Sequence, residues 1–207
     1  MEKIWNKKFI LLFITNLLMM ATFYAAVPII PIYCQQLGIT GSKIGIVLTS
    51  MSVTTVLFRP LAGYILDNFN RYRVYMIFLA LFCLPFLGFI LFPFFGALVA
   101  IRLYMGAVYS VCGSATTTLA GDVLPPKKVG RGVNRFALTI SLGMALGPFI
   151  GIQVQNYLSS QASFLLLFFM AAAALVCVSF CRIQYPKTKR KKFVLPSINL
   201  RFPLCSI

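Results

Sequence analysis

The 207-residue chain is 60% hydrophobic and only 11% charged, with a mean hydropathy of +0.90; that is more apolar surface than a water-soluble domain can cover, so the surplus must face lipid. The net charge of +16 falls in clusters between long uncharged runs, the pattern of loops under the positive-inside rule rather than a basic stripe interleaved with base-stacking aromatics, so nucleic acid is excluded as a partner. With no histidine, no C-x-x-C pair among six cysteines and only Glu2, Asp67 and Asp122 as acids, the chain has almost nothing for a metal site, a cofactor or acid–base catalysis, and it does not read as an enzyme.

Backbone groups in hydrocarbon must be satisfied internally, so each long apolar run predicts a helix of about 20 residues crossing about 30 Å. The first span, 9–33, follows Lys3, Lys7 and Lys8, and its apolar part is too long for a signal-peptide core. A short outer loop at 34–43 (CQQLGITGSK) leads to span two, 44–66, interrupted late by Arg59 and Pro60. Arg71 and Arg73 then return the chain to the cytoplasm. Residues 74–121 hold one charge, Arg102; as a single helix they would be about 70 Å long, so they fold back once. The turn is expected at PFFG, 93–96, giving span three at 74–93 and span four at 96–120. A basic loop at 121–135 precedes span five at 136–153, and span six covers 163–181. The six spans make an all-α membrane bundle over 1–185, followed by a basic tail at 186–207. Every basic cluster (the N-terminus, 71–73, 127–135 and 182–192) falls on one side, and the opposite loops hold only Lys43. The expected protein is therefore a multi-pass protein of the inner or plasma membrane with both termini cytoplasmic.

Spans three and six are nearly pure hydrocarbon and are expected at the periphery. Spans one, two, four and five carry Asn16 and a series of Ser and Thr residues. Such stripes line a cavity or hold helices together. The pattern of two striped spans followed by an apolar one occurs twice, as a 3+3 inverted repeat of transporter helices would give, although it rests on hydropathy alone.

Three motifs sharpen this reading. The turn after span two reads GYILDNFNRYR at 63–73; Gly63, Asp67 and Arg71 match G-x-x-x-D-R-x-G-R-K/R, with Asn68 and Asn70 in place of the first Arg and second Gly. Asparagine tolerates the left-handed conformation better than most residues, so the turn is expected to survive. Span four carries R-x-x-x-G at Arg102 and Gly106, and span five carries Gly143, Gly147, Pro148 and Gly151. Glycines spaced by four leave one helix face bare, so another helix can approach closely, and Pro148 is expected to kink the helix. At these positions the sequence resembles the major facilitator superfamily, whose motifs at the second turn, the fourth helix and the fifth helix have these forms. Pro28 and Pro31 of span one similarly resemble a motif of drug-efflux members.

The resemblance implies a fold and a function. It implies the N-terminal six-helix bundle of a transporter working by alternating access, with Gly63, Asp67 and Arg71 in a cytoplasmic gating loop and Arg102 in substrate binding or proton relay. The depth of Arg102 also permits a cation snorkelling to the headgroups, the lesser reading. Arg102, Asn16, Tyr24 and Tyr109 are the candidate cavity residues. Efflux antiport of small amphipathic compounds is the leading expectation; an uptake carrier for sugars or organic anions, and a non-transporting remnant or partner subunit, are the alternatives. The spans hold no carboxylate of their own, which leaves proton coupling through this bundle without a carrier. The partners expected are the bilayer, a small-molecule substrate, and a second six-helix half or another copy of the chain to cover the glycine face and the polar faces.

Overall fold

The computed structural model describes residues 6–157 and 159–181. They form six long helices: α1 (Lys7–Gln36), α2 (Ser42–Asn68), α3 (Arg71–Leu91), α4 (Phe95–Asp122), α5 (Val129–Tyr157) and α6 (Ser160–Ser179), with one 3-10 turn at Pro126–Lys128. All six are long and apolar enough to cross a membrane. The helices run past the hydrocarbon limits read from the sequence because hydrogen bonding continues into the headgroup region. The largest extension is in α5, which starts at Val129 rather than 136 and so carries Arg131 and Arg135 on helix rather than loop. Likewise α1 extends to Gln36, which leaves Cys34 inside a helix and fully buried. α5 passes through Pro148 as one continuous helix. The basic tail at 186–207 and the basic cluster at 182–192 lie outside the described residues.

The turn between α2 and α3 departs from expectation in its chemistry. Asn70 has φ −64 and ψ 109, and no described residue other than glycine has a positive φ. Asn70 is the N-cap of α3: its Oδ1 accepts from the backbone N–H of Tyr72 and of Arg73, both at 3.1 Å. A side-chain acceptor satisfying two orphan amides replaces the left-handed residue that a glycine there would allow.

Packing follows a repeat. α1 packs most extensively on α5 and α4 on α2, then α1 on α6 and α4 on α3, with α3 and α6 meeting each other. Exchanging α1 with α4, α2 with α5 and α3 with α6 interchanges the first two pairings and the next two, and maps the α3–α6 pairing onto itself. Consecutive helices alternate in direction, so the two triplets run opposite ways, as an inverted 3+3 repeat requires. Where the triplets join, Phe89 and Phe164 stack with centroids 4.9 Å apart, and Tyr33 donates to the Phe89 carbonyl at 2.8 Å. α3 and α6 still present apolar side chains outward, including Ile77, Leu84, Phe169 and Val176. The least covered helices, however, are α2 and α5, each packed chiefly on one neighbour and exposing Val56, Leu57, Met144 and Phe149.

The glycine face of α5 is not open for a partner. A Cβ at Gly143 would lie 2.6 Å from Met20 Cβ, one at Gly147 would lie 2.6 Å from Tyr24 Cβ, and one at Gly151 would meet the Ala25 carbonyl oxygen. All three glycines receive α1 of this same chain. The expectation that a second bundle covers this stripe is therefore corrected. The stripe builds the internal α1–α5 seam, and Gly106 plays the equivalent part between α4 and α2, against Met51 and Thr54.

Candidate functional site

A cavity of about 360 Å³ opens between four helices, lined by Asn16 and Met20 of α1, Thr55 and Arg59 of α2, six residues of α4 from Tyr109 to Thr117, and Ile140 of α5. Helical phase explains the convergence. Thr55 and Arg59 are one turn apart, and Ser110, Gly113, Ser114 and Thr117 follow the i, i+3, i+4, i+7 spacing of a single α4 face. Asn16 and Arg59 each lie nine residues from the ends of their helices that carry the basic loops, roughly 14 Å of rise. The cavity thus occupies the half of the bundle nearer the basic end. Its volume falls in the range of small-molecule sites.

The hydrogen-bonding state of its wall is specific. Asn16 Nδ2 donates to Thr139 Oγ1 at 2.6 Å, and Thr139 Oγ1 donates on to the Phe136 carbonyl at 2.6 Å, tying α1 to α5. Asn16 Oδ1 and Ser110 Oγ are buried without a hydrogen-bond partner. Thr55, Ser114, Thr116 and Thr117 each donate to a carbonyl one turn back on their own helix, so they offer the cavity lone pairs rather than protons. The Tyr109 hydroxyl has only the soft Met20 sulfur, at 3.6 Å. Its ring stacks on Phe23 with centroids 4.4 Å apart, and Phe23 meets Tyr24 edge-on at 5.0 Å.

Of the four cavity residues expected from sequence, Asn16 and Tyr109 line the cavity and Tyr24 sits beside it through Phe23. Arg102 is elsewhere. It is 3% exposed and lies seven residues before Tyr109 along α4, about 10 Å of rise toward the opposite end. Its Nη1 contacts Met51 Sδ at 3.2 Å and Met105 Sδ at 4.0 Å, and its Nε has no partner. The guanidinium is thus enclosed in the α2–α4 seam rather than extended to the headgroups.

At the basic end, Arg71 joins three helix termini. Its Nη1 donates to both Asp122 carboxylate oxygens, at 2.9 and 3.1 Å, its Nε donates to the Leu66 carbonyl at 3.3 Å, and its Nη2 lies 3.7 Å from Asp67. Asp67 is the looser and more exposed partner; Asp122, at the end of α4, holds Arg71 in two-pronged fashion. Gly63, one turn before Asp67, has open space around it. Two residues of consequence were missed in the sequence. Asp122 had no motif to mark it. Arg59 was seen only as an interruption, although its i, i+4 relation to Thr55 places the two on one face.

The chain matches the family model described as Major Facilitator Superfamily over residues 12–203. It is 25% identical over 146 residues to the quinolone resistance protein NorA of Staphylococcus aureus (strain MRSA252), covering 70% of this chain and 38% of that protein. To the multi-drug resistance efflux pump PmrA of Streptococcus pneumoniae serotype 4 (strain ATCC BAA-334 / TIGR4) it is 24% identical over 196 residues, covering 92% of this chain and 49% of the pump. In fold it is similar to the crystal structure of the human organic anion transporter MFSD10 (TETRAN), with a TM-score of 0.72 at 21% identity, over 89% of this chain and 49% of that one. The chain spans about half the length, or less, of the relatives it matches.

Proposed function

This chain belongs to the Major Facilitator Superfamily, and from that premise we propose that it carries small amphipathic molecules out of the cell by alternating access, with the cavity between α1, α2, α4 and α5 as its share of the solute site. One observation carries the reading: a hollow lined with hydroxyls, an amide and a guanidinium sits inside helices otherwise apolar enough to span a bilayer. Polar groups at that depth are costly unless they meet water, solute or one another. The sequence similarity to two drug-efflux proteins supports export over uptake. The basic end is the cytoplasmic one under the positive-inside rule, so the cavity loads from the cytoplasm and the Arg71–Asp122 tie sits at its gate with Gly63 and Asp67.

The outer faces of α2 and α5, together with the open side of the cavity, fit a second six-helix bundle, whether in one polypeptide with this one, on another chain or as a second copy. Rocking of the two bundles alternates access to the site between them. Arg102 contributes from within the α2–α4 seam, through its field on the neighbouring cavity rather than by contact with solute.

The test is accumulation of a fluorescent quinolone antibiotic, an amphipathic carboxylate, in cells expressing the assembled transporter. Wild type lowers it, and Asn16→Leu or Tyr109→Ala returns it toward the level of cells without the protein. Wild-type export by both variants at equal expression would remove the cavity from the transport path.

A further inference from the structure

We infer that this cavity selects solutes bearing a single carboxylate, and that Arg59 is the residue that reads it. The inference rests on the reading of the cavity as the solute site and adds the class of molecule it takes.

Arg59 is the one formally charged residue among those lining the cavity. It lies between Phe58 and Pro60 well inside an apolar helix, where a cation costs about 2.5 kcal/mol or more to insert. No ion pair among the described residues accounts for it. The acids that could reach this region are Asp67 and Asp122, and both engage Arg71 at the basic end. Asp67 lies eight residues further along α2, about 12 Å of rise from Arg59. Arg59 is therefore not held as half of a pair within the described residues of this bundle. It is exposed on the open side of the shared hollow, where a solute can reach it.

The hydrogen-bonding state of the wall fixes where an anion can sit. Four of the hydroxyls have spent their protons on their own helix carbonyls, and Asn16 has spent an amide proton on Thr139, leaving its Oδ1 bare. The oxygens of these groups repel an anion. The donors left are the Arg59 guanidinium, the second amide proton of Asn16, the buried Ser110 hydroxyl without a partner and the Tyr109 hydroxyl with only a thioether. A carboxylate accepts two parallel N–H bonds from a guanidinium fork, and the stacked rings of Tyr109 and Phe23 offer a flat surface to the apolar body attached to it. One cation balances one negative charge. A phosphate monoester, at close to two charges near neutral pH, would leave one unmatched, whether it came from a free solute or a lipid headgroup.

The experiment measures binding of radiolabelled 2-naphthoate, methyl 2-naphthoate and 1-naphthyl phosphate to the assembled transporter in nanodiscs, with the unfolding midpoint of each variant as the folding control. Wild type should bind the carboxylate about tenfold more tightly than the ester, the scale of a charge-assisted hydrogen-bonded pair. Arg59→Gln should weaken carboxylate binding until the two affinities meet, and Arg59→Lys should restore part of the gap. Equal affinities in wild type, a gap that survives Arg59→Gln at an unchanged unfolding midpoint, or a preference for the phosphate would each overturn the proposal while leaving the cavity as the solute site. Absence of binding by all three compounds would overturn the reading of the cavity as well.

Discussion

The α1–α5 and α2–α4 seams occupy equivalent places in the two triplets, yet they are built from different chemistry. On the α1–α5 side three glycines admit the backbone of α1, and the polar contact is a neutral amide–hydroxyl bond, Asn16 to Thr139. On the α2–α4 side one glycine, Gly106, does the same packing work beside an enclosed guanidinium that has only two thioethers within reach. Close approach is common to both seams and serves packing. The cation belongs to one seam alone, and packing does not explain it: burial of an incompletely bonded charge opposes stability. On the proposed function, the difference separates residues that hold the bundle together from a residue that serves transport.

Substitutions that fill the shared feature should have the largest effect and should act on both seams alike. Gly147→Leu and Gly106→Leu each force a side chain against backbone of the facing helix, and overpacking of this kind costs about 1–3 kcal/mol or more. Both should lose most of the monodisperse protein in size-exclusion chromatography. A well-folded Gly147→Leu would break the assignment of the glycine stripe to α1. Next in size is the feature that differs. Arg102→Met keeps volume and removes the enclosed charge, so the unfolding midpoint should hold or rise, by an amount equivalent to about 1–4 kcal/mol, while quinolone export falls. Arg102→Lys should not restore export, because a compact ammonium cannot copy the planar fork. A lowered midpoint in Arg102→Met would make the cation a structural element and erase the contrast between the seams. The smallest stability effect belongs to the basic end. Asp122→Asn removes the two-pronged partner of a partly exposed Arg71 and should cost about 1 kcal/mol. Its signature should instead be easier alkylation of a cysteine placed near the gate by Gly63→Cys.

Length and hydropathy made the six helices and their order legible, because lipid leaves the backbone no alternative. Their ends were less so. Arg131 and Arg135 marked where the membrane stops, and the helix simply continues beyond it. The glycine spacing announced a close helix contact but not its partner, since which helix fills a bare face is decided by the repeat pairing. Asn16 and Tyr109 were readable as rare polar groups in apolar spans. Arg102 was readable as a buried cation, but its distance from the cavity depends on which faces of α2 and α4 meet. Arg59 needed only helical phase to join Thr55, and Asp122 became visible only once the end of α4 was set beside the start of α3.

The central claim is that solute occupies the hollow between α1, α2, α4 and α5. It is tested most directly by alkylation of Ser114→Cys in a chain whose native cysteines are replaced by alanine, within the assembled transporter in membranes. The expected result is labelling from the cytoplasmic side that slows in proportion to the concentration of an exported compound, while a cysteine in the opposite loop, from Thr40→Cys, labels from outside and is unaffected. Labelling of Ser114→Cys at one rate with and without solute, in a transporter that still exports, would contradict the claim.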